Sequence, residues 1–117
     1  MSRASTAFHN GMAAEAIAAR AYQARGGEVL ARRWKVPEGE IDLIVALDGV
    51  IVFVEVKARK TMAMALGALQ PAQQARLLAC AEQYLARFAT LDTPCRFDLA
   101  ALDRAGRVEI LANILQG

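Results

Sequence analysis

The stretch that decides the fold is GEIDLIVALDGVIVFVEVKARK, Gly39 to Lys60. Two runs rich in β-branched residues, EIDLIVAL and VIVFVEVKAR, flank Asp48-Gly49. Asp-Gly between such runs is the pattern of a two-residue hairpin turn, whose two central positions need a positive φ. Leu47 then faces Val50. Counting outward along an antiparallel ladder sets Asp42 directly opposite Glu55, and Glu40 opposite Lys57 on the same face. These charges sit inside two of the most apolar segments of the chain, where a carboxylate is unfavourable unless a cation or hydrogen bonds compensate it. Two solutions exist. Lys57 neutralises its acidic neighbours in a purely structural network, or the opposed carboxylates bind a divalent cation. Mg²⁺ and Mn²⁺ prefer oxygen ligands, and Mg²⁺ typically takes one or two carboxylates, with waters and phosphate oxygens filling the rest. Lys57 on that face adds a phosphate-seeking point charge. The second solution is the constellation of metal-assisted phosphodiester hydrolysis.

Working outward, EVLARRWKV (residues 28–36) reads as a strand broken by Pro37 and Gly39. Before it, an alanine-rich helix is expected from Asn10-Gly11 to the stop at Gly26-Gly27. Met12, Ala16, Ala19 and Gln23 would share one side of it, and Ile17, Ala21 and Ala24 an adjacent one. Glu15 lies near the apolar edge. After the hairpin, TMAMALGALQ reads as a mobile connection, and Pro71 opens a second helix with Leu77, Leu78, Ala81, Leu85 and Phe88 at helical spacing. CRFDLAAL and RVEILANIL are expected as two more strands around DRAG. The order is α-β-β-β-α-β-β, a mixed α/β domain spanning residues 1–117.

A chain of 117 residues supports one core. Its opening MSRASTAFHN has no apolar segment and Val50–Val54 is far too short to span a bilayer, so a soluble, cytoplasmic protein without a signal peptide is expected. Cys80 and Cys95 fit no zinc spacing and read as reduced thiols. His9 is the only histidine, which argues against a zinc site and against serine–histidine or cysteine–histidine catalysis. The net charge of +2 neither demands nor excludes nucleic acid. Its distribution is more informative: Arg32, Arg33 and Lys35 precede the hairpin, and Lys57, Arg59 and Lys60 close it. A solvated basic surface is the plain alternative to a phosphate-binding one. Trp34 and Tyr22 read as core or core-edge aromatics rather than base-stacking platforms.

GEIDLI followed by FVEVKAR resembles the D…ExK signature of the PD-(D/E)xK nuclease superfamily. More closely, the chain resembles the small bacterial YraN-like proteins, which are similar to archaeal Holliday-junction resolvases. Gly11, Glu15, Gly26, Gly67, the Ala81…Tyr84-Leu85 segment and Arg96-Phe97-Asp98 extend the resemblance over nearly the whole chain. It implies a restriction-endonuclease-like α-β-β-β-α-β core, with a mixed central sheet flanked by helices. It also implies Mg²⁺ or Mn²⁺ as cofactor, with Asp42, Glu55 and the Val56 carbonyl as ligands. Lys57 would position or activate the attacking water, and Glu15 would support the metal or its water. Asp98 is the weakest candidate, better read as ending a strand or as an arginine partner. The chain departs from the pattern in carrying Arg33-Trp34-Lys35 where an Asn-x-Arg is usual, and Gln73 where the second helix usually has an early lysine. Glutamine still hydrogen-bonds phosphate.

The sequence therefore leads to a divalent-metal-dependent DNA endonuclease, with branched or structured DNA as its finer expectation and a homodimer suited to a two-fold substrate. The expected nucleic-acid contacts are Arg32, Arg33, Lys35, Arg59, Lys60 and Gln73. Two rivals stand beside it. One is a nucleic-acid-binding module without catalysis. The other is an interaction domain in which Asp42, Glu55 and Lys57 form only a charge network.

Overall fold

The computed structural model describes residues 11–115, so His9 and Asn10, which figured in the sequence reading, lie outside the described residues. Helix α1 (Gly11–Gln23) leads into strands β1 (Glu28–Val36), β2 (Gly39–Leu47) and β3 (Val50–Ala58). Helices α2 (Met62–Leu66) and α3 (Pro71–Phe88) follow, then β4 (Cys95–Leu102) and β5 (Val108–Leu111). The sheet order is β1-β2-β3-β4-β5. Only β3 and β4 run parallel, and α2 and α3 fill the crossover that a parallel pair requires. The expected mixed α/β architecture is observed.

The central hairpin forms as its turn dictates. Asp48 (φ 53°) and Gly49 (φ 78°) both take left-handed backbone, and the register runs from Leu47↔Val50 to Leu43↔Val54. Helix α1 covers one face of the sheet: Ala18, Ala19 and Tyr22 pack on Leu43, Val45, Val52, Val54 and Ala100. Helix α3 covers the other, with Leu77, Cys80, Ala81, Tyr84 and Leu85 against Ile41, Ile44, Phe53 and Phe97. Small alanines let α1 sit close to the sheet. Gly27 continues that fit, since a Cβ there would stand 2.8 Å from Val45 Cγ1 and 2.9 Å from the Tyr22 carbonyl oxygen.

Four local expectations need correction. The buried stripe of α1 is Ala14, Ala18, Ala19 and Tyr22, together with Glu15, whereas Gln23 and Ala24 face solvent. Turning the helix this way buries the large Tyr22 ring. On α3, Leu78 and Phe88 are exposed, and Cys80 and Tyr84 take their places in the core. The connection after β3 contains α2, whose N-terminus is capped by Thr61 Oγ1 accepting from the Met64 N–H at 3.1 Å. The last strand stops at Leu111, and at Asn113 (φ 58°) the chain turns so that the Ile114 N–H donates to the Phe97 carbonyl.

One irregularity shapes the site. Ala31 and Trp34, three residues apart on β1, both pack in the α3 core, and so do Ile41 and Ile44 on β2. Strict alternation would separate each pair. The changeover falls at Arg33, which holds φ 50°, and at Asp42 on the neighbouring strand, between the partners Arg32↔Leu43 and Trp34↔Ile41. Among the described residues, no helix is long and apolar enough to cross a membrane.

Candidate active site

Beyond Leu43↔Val54 the β2–β3 ladder ends, while β3 stays paired with β4 as far as Ala58↔Leu102. Asp42 fills the gap with its side chain. Its Oδ2 accepts the Val56 N–H at 2.8 Å, a place that a strand carbonyl would otherwise take. The Glu55 carboxyl lies near the Asp42 carboxyl although the β2–β3 ladder stops short of this pair, and the two share a hydrogen bond when Glu55 holds a proton. Burial, then that hydrogen bond, then the Asp42 charge push the Glu55 pKa up to about 9, against a smaller opposing pull from Lys57. Two half-buried carboxyls sharing a proton are a pair in which a dication can take the proton's place.

This shift has a consequence for stability. The folded state keeps a proton on Glu55 that an unfolded glutamate, with a pKa of 4.5, has already released. The stabilisation from that protonated carboxyl is complete below about pH 4.5 and is lost as pH rises toward 9, by at most about 1.4 kcal/mol per pH unit. In chelator, urea midpoints measured from pH 5 to pH 9 should therefore fall steadily. A midpoint that is flat or rises over this window contradicts the paired-carboxyl geometry.

Glu15 comes to the same place from α1. It is 6% exposed and its pKa is raised by burial and by Asp42, opposed by Arg33 and Arg32. A cavity of about 280 Å³ is lined by Glu15, Arg33, Glu40, Asp42, Val56 and Arg59, among others. Glu55 and Lys57 are not among its lining residues. Asp42 therefore joins two halves of the site: the cavity it shares with Glu15, and the half-buried pair it makes with Glu55. Lys57 is itself buried, and its charge is felt by Glu55.

The described residues offer no group of three or more His, Cys, Asp or Glu side chains placed to hold a metal. The donors that do meet are the carboxylate oxygens of Asp42 and Glu55. Such a partial oxygen set fits a cation that keeps waters and takes substrate oxygens, as Mg²⁺ does, and does not fit a closed zinc site.

The basic residues divide. Arg32, Lys35 and Lys60 are exposed; Arg59 lies at the cavity with its Nη1 donating to the Ala58 carbonyl at 2.8 Å. Arg33 also lines the cavity. Gln73 is used locally: its Oε1 accepts the Gln70 N–H at 3.0 Å in a capping box that starts α3. Glu40 does not pair with Lys57. It turns to β1, where Arg33 Nε lies 3.6 Å and Lys35 Nζ 4.0 Å from its Oε1. The sequence reading missed this because it counted one hairpin only; the basic residues at 33 and 35 across the short Pro37-Glu38 turn were the available signal. Trp34 stands edge-on to Tyr84 at 5.3 Å in the core, and Asp98 pairs with Arg96 at 3.1 Å, both as read.

Comparison with known proteins places this arrangement in a family. The model of the family described as "Uncharacterised protein family UPF0102" matches residues 14–102, a span that contains Glu15, Asp42, Glu55 and Lys57. A UPF0102 protein of Roseobacter denitrificans is 42% identical over 110 residues, covering 93% of this chain and 85% of its own. One from Dinoroseobacter shibae is 43% identical over 113 residues, covering 96% and 84%. One from Granulibacter bethesdensis is 42% identical over 112 residues, covering 95% and 71%. A match of this extent and identity makes the chain a member of the UPF0102 family, the YraN-like group with the PD-(D/E)xK nuclease pattern.

Proposed function

We propose that this protein hydrolyses phosphodiester bonds in DNA with the help of Mg²⁺ or Mn²⁺. The observation that carries this reading is the meeting of Asp42 and Glu55 where β2 and β3 part, with Lys57 buried two residues on. A bound dication supplies positive charge for the scissile phosphate and acidifies a water to serve as nucleophile. Asp42 and Glu55 would hold that charge, with the Val56 carbonyl as a third oxygen. The Asp42–Val56 hydrogen bond fixes the aspartate, so that its geometry need not be organised during the reaction. Lys57 orients the attacking water by its ammonium. Glu15, buried with a raised pKa beside Asp42, holds a second water or takes its proton. In the hydrolysis the water oxygen bonds to phosphorus, the bond to one ester oxygen breaks, and a proton ends on that leaving oxygen. Arg33 and Arg59 bind neighbouring phosphates at the cavity.

Branched DNA is the substrate to try first, on the resemblance to junction resolvases, and two copies of the chain would suit its two-fold symmetry. Such work belongs in the cytoplasm. A second reading, DNA binding without catalysis, is favoured by one observation: the described acidic side chains do not assemble into a three-ligand set.

The test is a panel of linear, flapped and four-way-branched DNA with Mg²⁺, Mn²⁺ or chelator. Metal-dependent cleavage by wild type, absent in Asp42→Asn, supports the nuclease. Salt-sensitive binding without cleavage supports the second reading. Equal cleavage by both proteins marks a contaminant or a different site.

A further inference from the structure

At the cavity, one oxygen of Glu40 is shared by two cations. Arg33 Nε lies 3.6 Å and Lys35 Nζ 4.0 Å from Oε1, both beyond hydrogen-bond range. That oxygen is shut off from solvent and has no hydrogen-bond donor among the described residues. It is thus poorly compensated, although two donors stand close to it. The cations are not locked in place: the Arg33 side chain is 41% exposed and that of Lys35 70%. Arg33 also lines the cavity beside Asp42, on left-handed backbone that a non-glycine residue seldom adopts.

We propose that Glu40 is an internal stand-in for a DNA phosphate, holding Arg33 and Lys35 beside the cavity until a substrate phosphodiester displaces it. This rests on the DNA reading above. A phosphate offers several oxygens to a planar guanidinium and can accept two parallel N–H bonds, whereas Glu40 offers one oxygen at a longer distance. Exposed ion pairs of this kind contribute little to stability, so opening it is a small barrier to exchange. Glu40 with Arg33 and Lys35 sums to one positive charge, set against the Glu15 and Asp42 carboxylates that line the same cavity. The Glu40 carboxylate competes with every phosphate that enters, which makes the site reject weak anions and favour a polyanion able to occupy neighbouring positions. Glu40 would therefore act as a brake on affinity.

The test is fluorescence anisotropy of labelled four-way DNA with chelator present, in about 50 mM and about 200 mM salt. Glu40→Gln should tighten binding by about fivefold or more at the lower salt and steepen the salt slope by up to about one. Glu109→Gln, which removes an exposed carboxylate on β5 at the opposite edge of the sheet, controls for net charge and should change binding far less. The gain should vanish when Arg33→Gln is added. A gain no larger than that of Glu109→Gln, or one that persists without Arg33, overturns the proposal while leaving DNA binding intact. Failure of wild type and Glu40→Gln alike to bind overturns the DNA reading and this proposal together. If melting curves show that Glu40→Gln does not fold, Glu40→Asp, which draws the carboxylate back from Arg33 and Lys35, decides: it must tighten binding by about twofold or more, and unchanged affinity overturns the proposal.

Discussion

Asp42→Asn should stay folded, lose its divalent cation and cut DNA at least about a thousandfold more slowly, a barrier increase of about 4 kcal/mol. The reasoning separates the two jobs of this side chain. An asparagine carbonyl oxygen can still accept the Val56 N–H that Asp42 Oδ2 holds at 2.8 Å, so the join between β2 and β3 survives. What disappears is the charge that opposes Glu55. With that charge gone, the Glu55 carboxyl loses one of the causes that raise its pKa, and the metal-free protein at pH 8 should be at least as stable as wild type. Stability and activity then move in opposite directions, the signature of a site strained for function. Melting curves in chelator, run beside cleavage assays, read both. Loss of activity accompanied by loss of fold would make Asp42 a structural residue.

Asp98→Ala has the largest expected effect on the fold itself. Asp98 is fully buried and accepts hydrogen bonds from three residues that tie distant parts of the chain together. The Tyr22 hydroxyl donates at 2.8 Å from α1, Arg96 Nε at 3.1 Å and Nη2 at 3.2 Å from β4, and the Asn113 N–H at 3.0 Å from the chain after β5. Burial and the Asp98 charge push the Tyr22 pKa upward, so its hydroxyl remains a donor. Removing the carboxylate orphans a buried hydroxyl, a backbone N–H and a guanidinium at once. The expected loss is about 3–5 kcal/mol, about a fifth or more of the roughly 5–15 kcal/mol that holds a domain of ordinary stability. Urea denaturation should show the midpoint falling with little change in slope. Tyr22→Phe, which removes one donor and leaves the other contacts, should lose only about 1 kcal/mol. A loss below about 1 kcal/mol for Asp98→Ala would show that the network does not tie the elements together.

The parts of this architecture that were legible in the sequence are those set by local chemistry. Asp48-Gly49 admits few turns, and the turn fixes the register observed from Leu47↔Val50 to Leu43↔Val54. The near-continuous apolar runs of β2 and β3 were plain because both faces of the sheet are covered. What the sequence concealed depends on neighbours far along the chain. Alanine on every side of α1 gives no apolar stripe to read, and the buried face was chosen instead by Tyr22 reaching Asp98, 76 residues away. No residue type announces a left-handed Arg33, so the changeover that frees Asp42 from strict alternation was invisible. Glu40 was assigned to Lys57 across one hairpin, and it is β1, on the other side of β2, that claims it.

The most direct measurement is a calorimetric Mn²⁺ titration at pH 8 of wild type beside Asp42→Asn and Glu55→Gln, with the fold of each confirmed by circular dichroism. The opposed carboxyls predict that wild type binds the ion with release of a proton, and that either substitution abolishes the binding while the fold persists. Binding by both variants that matches wild type would contradict the account at its root.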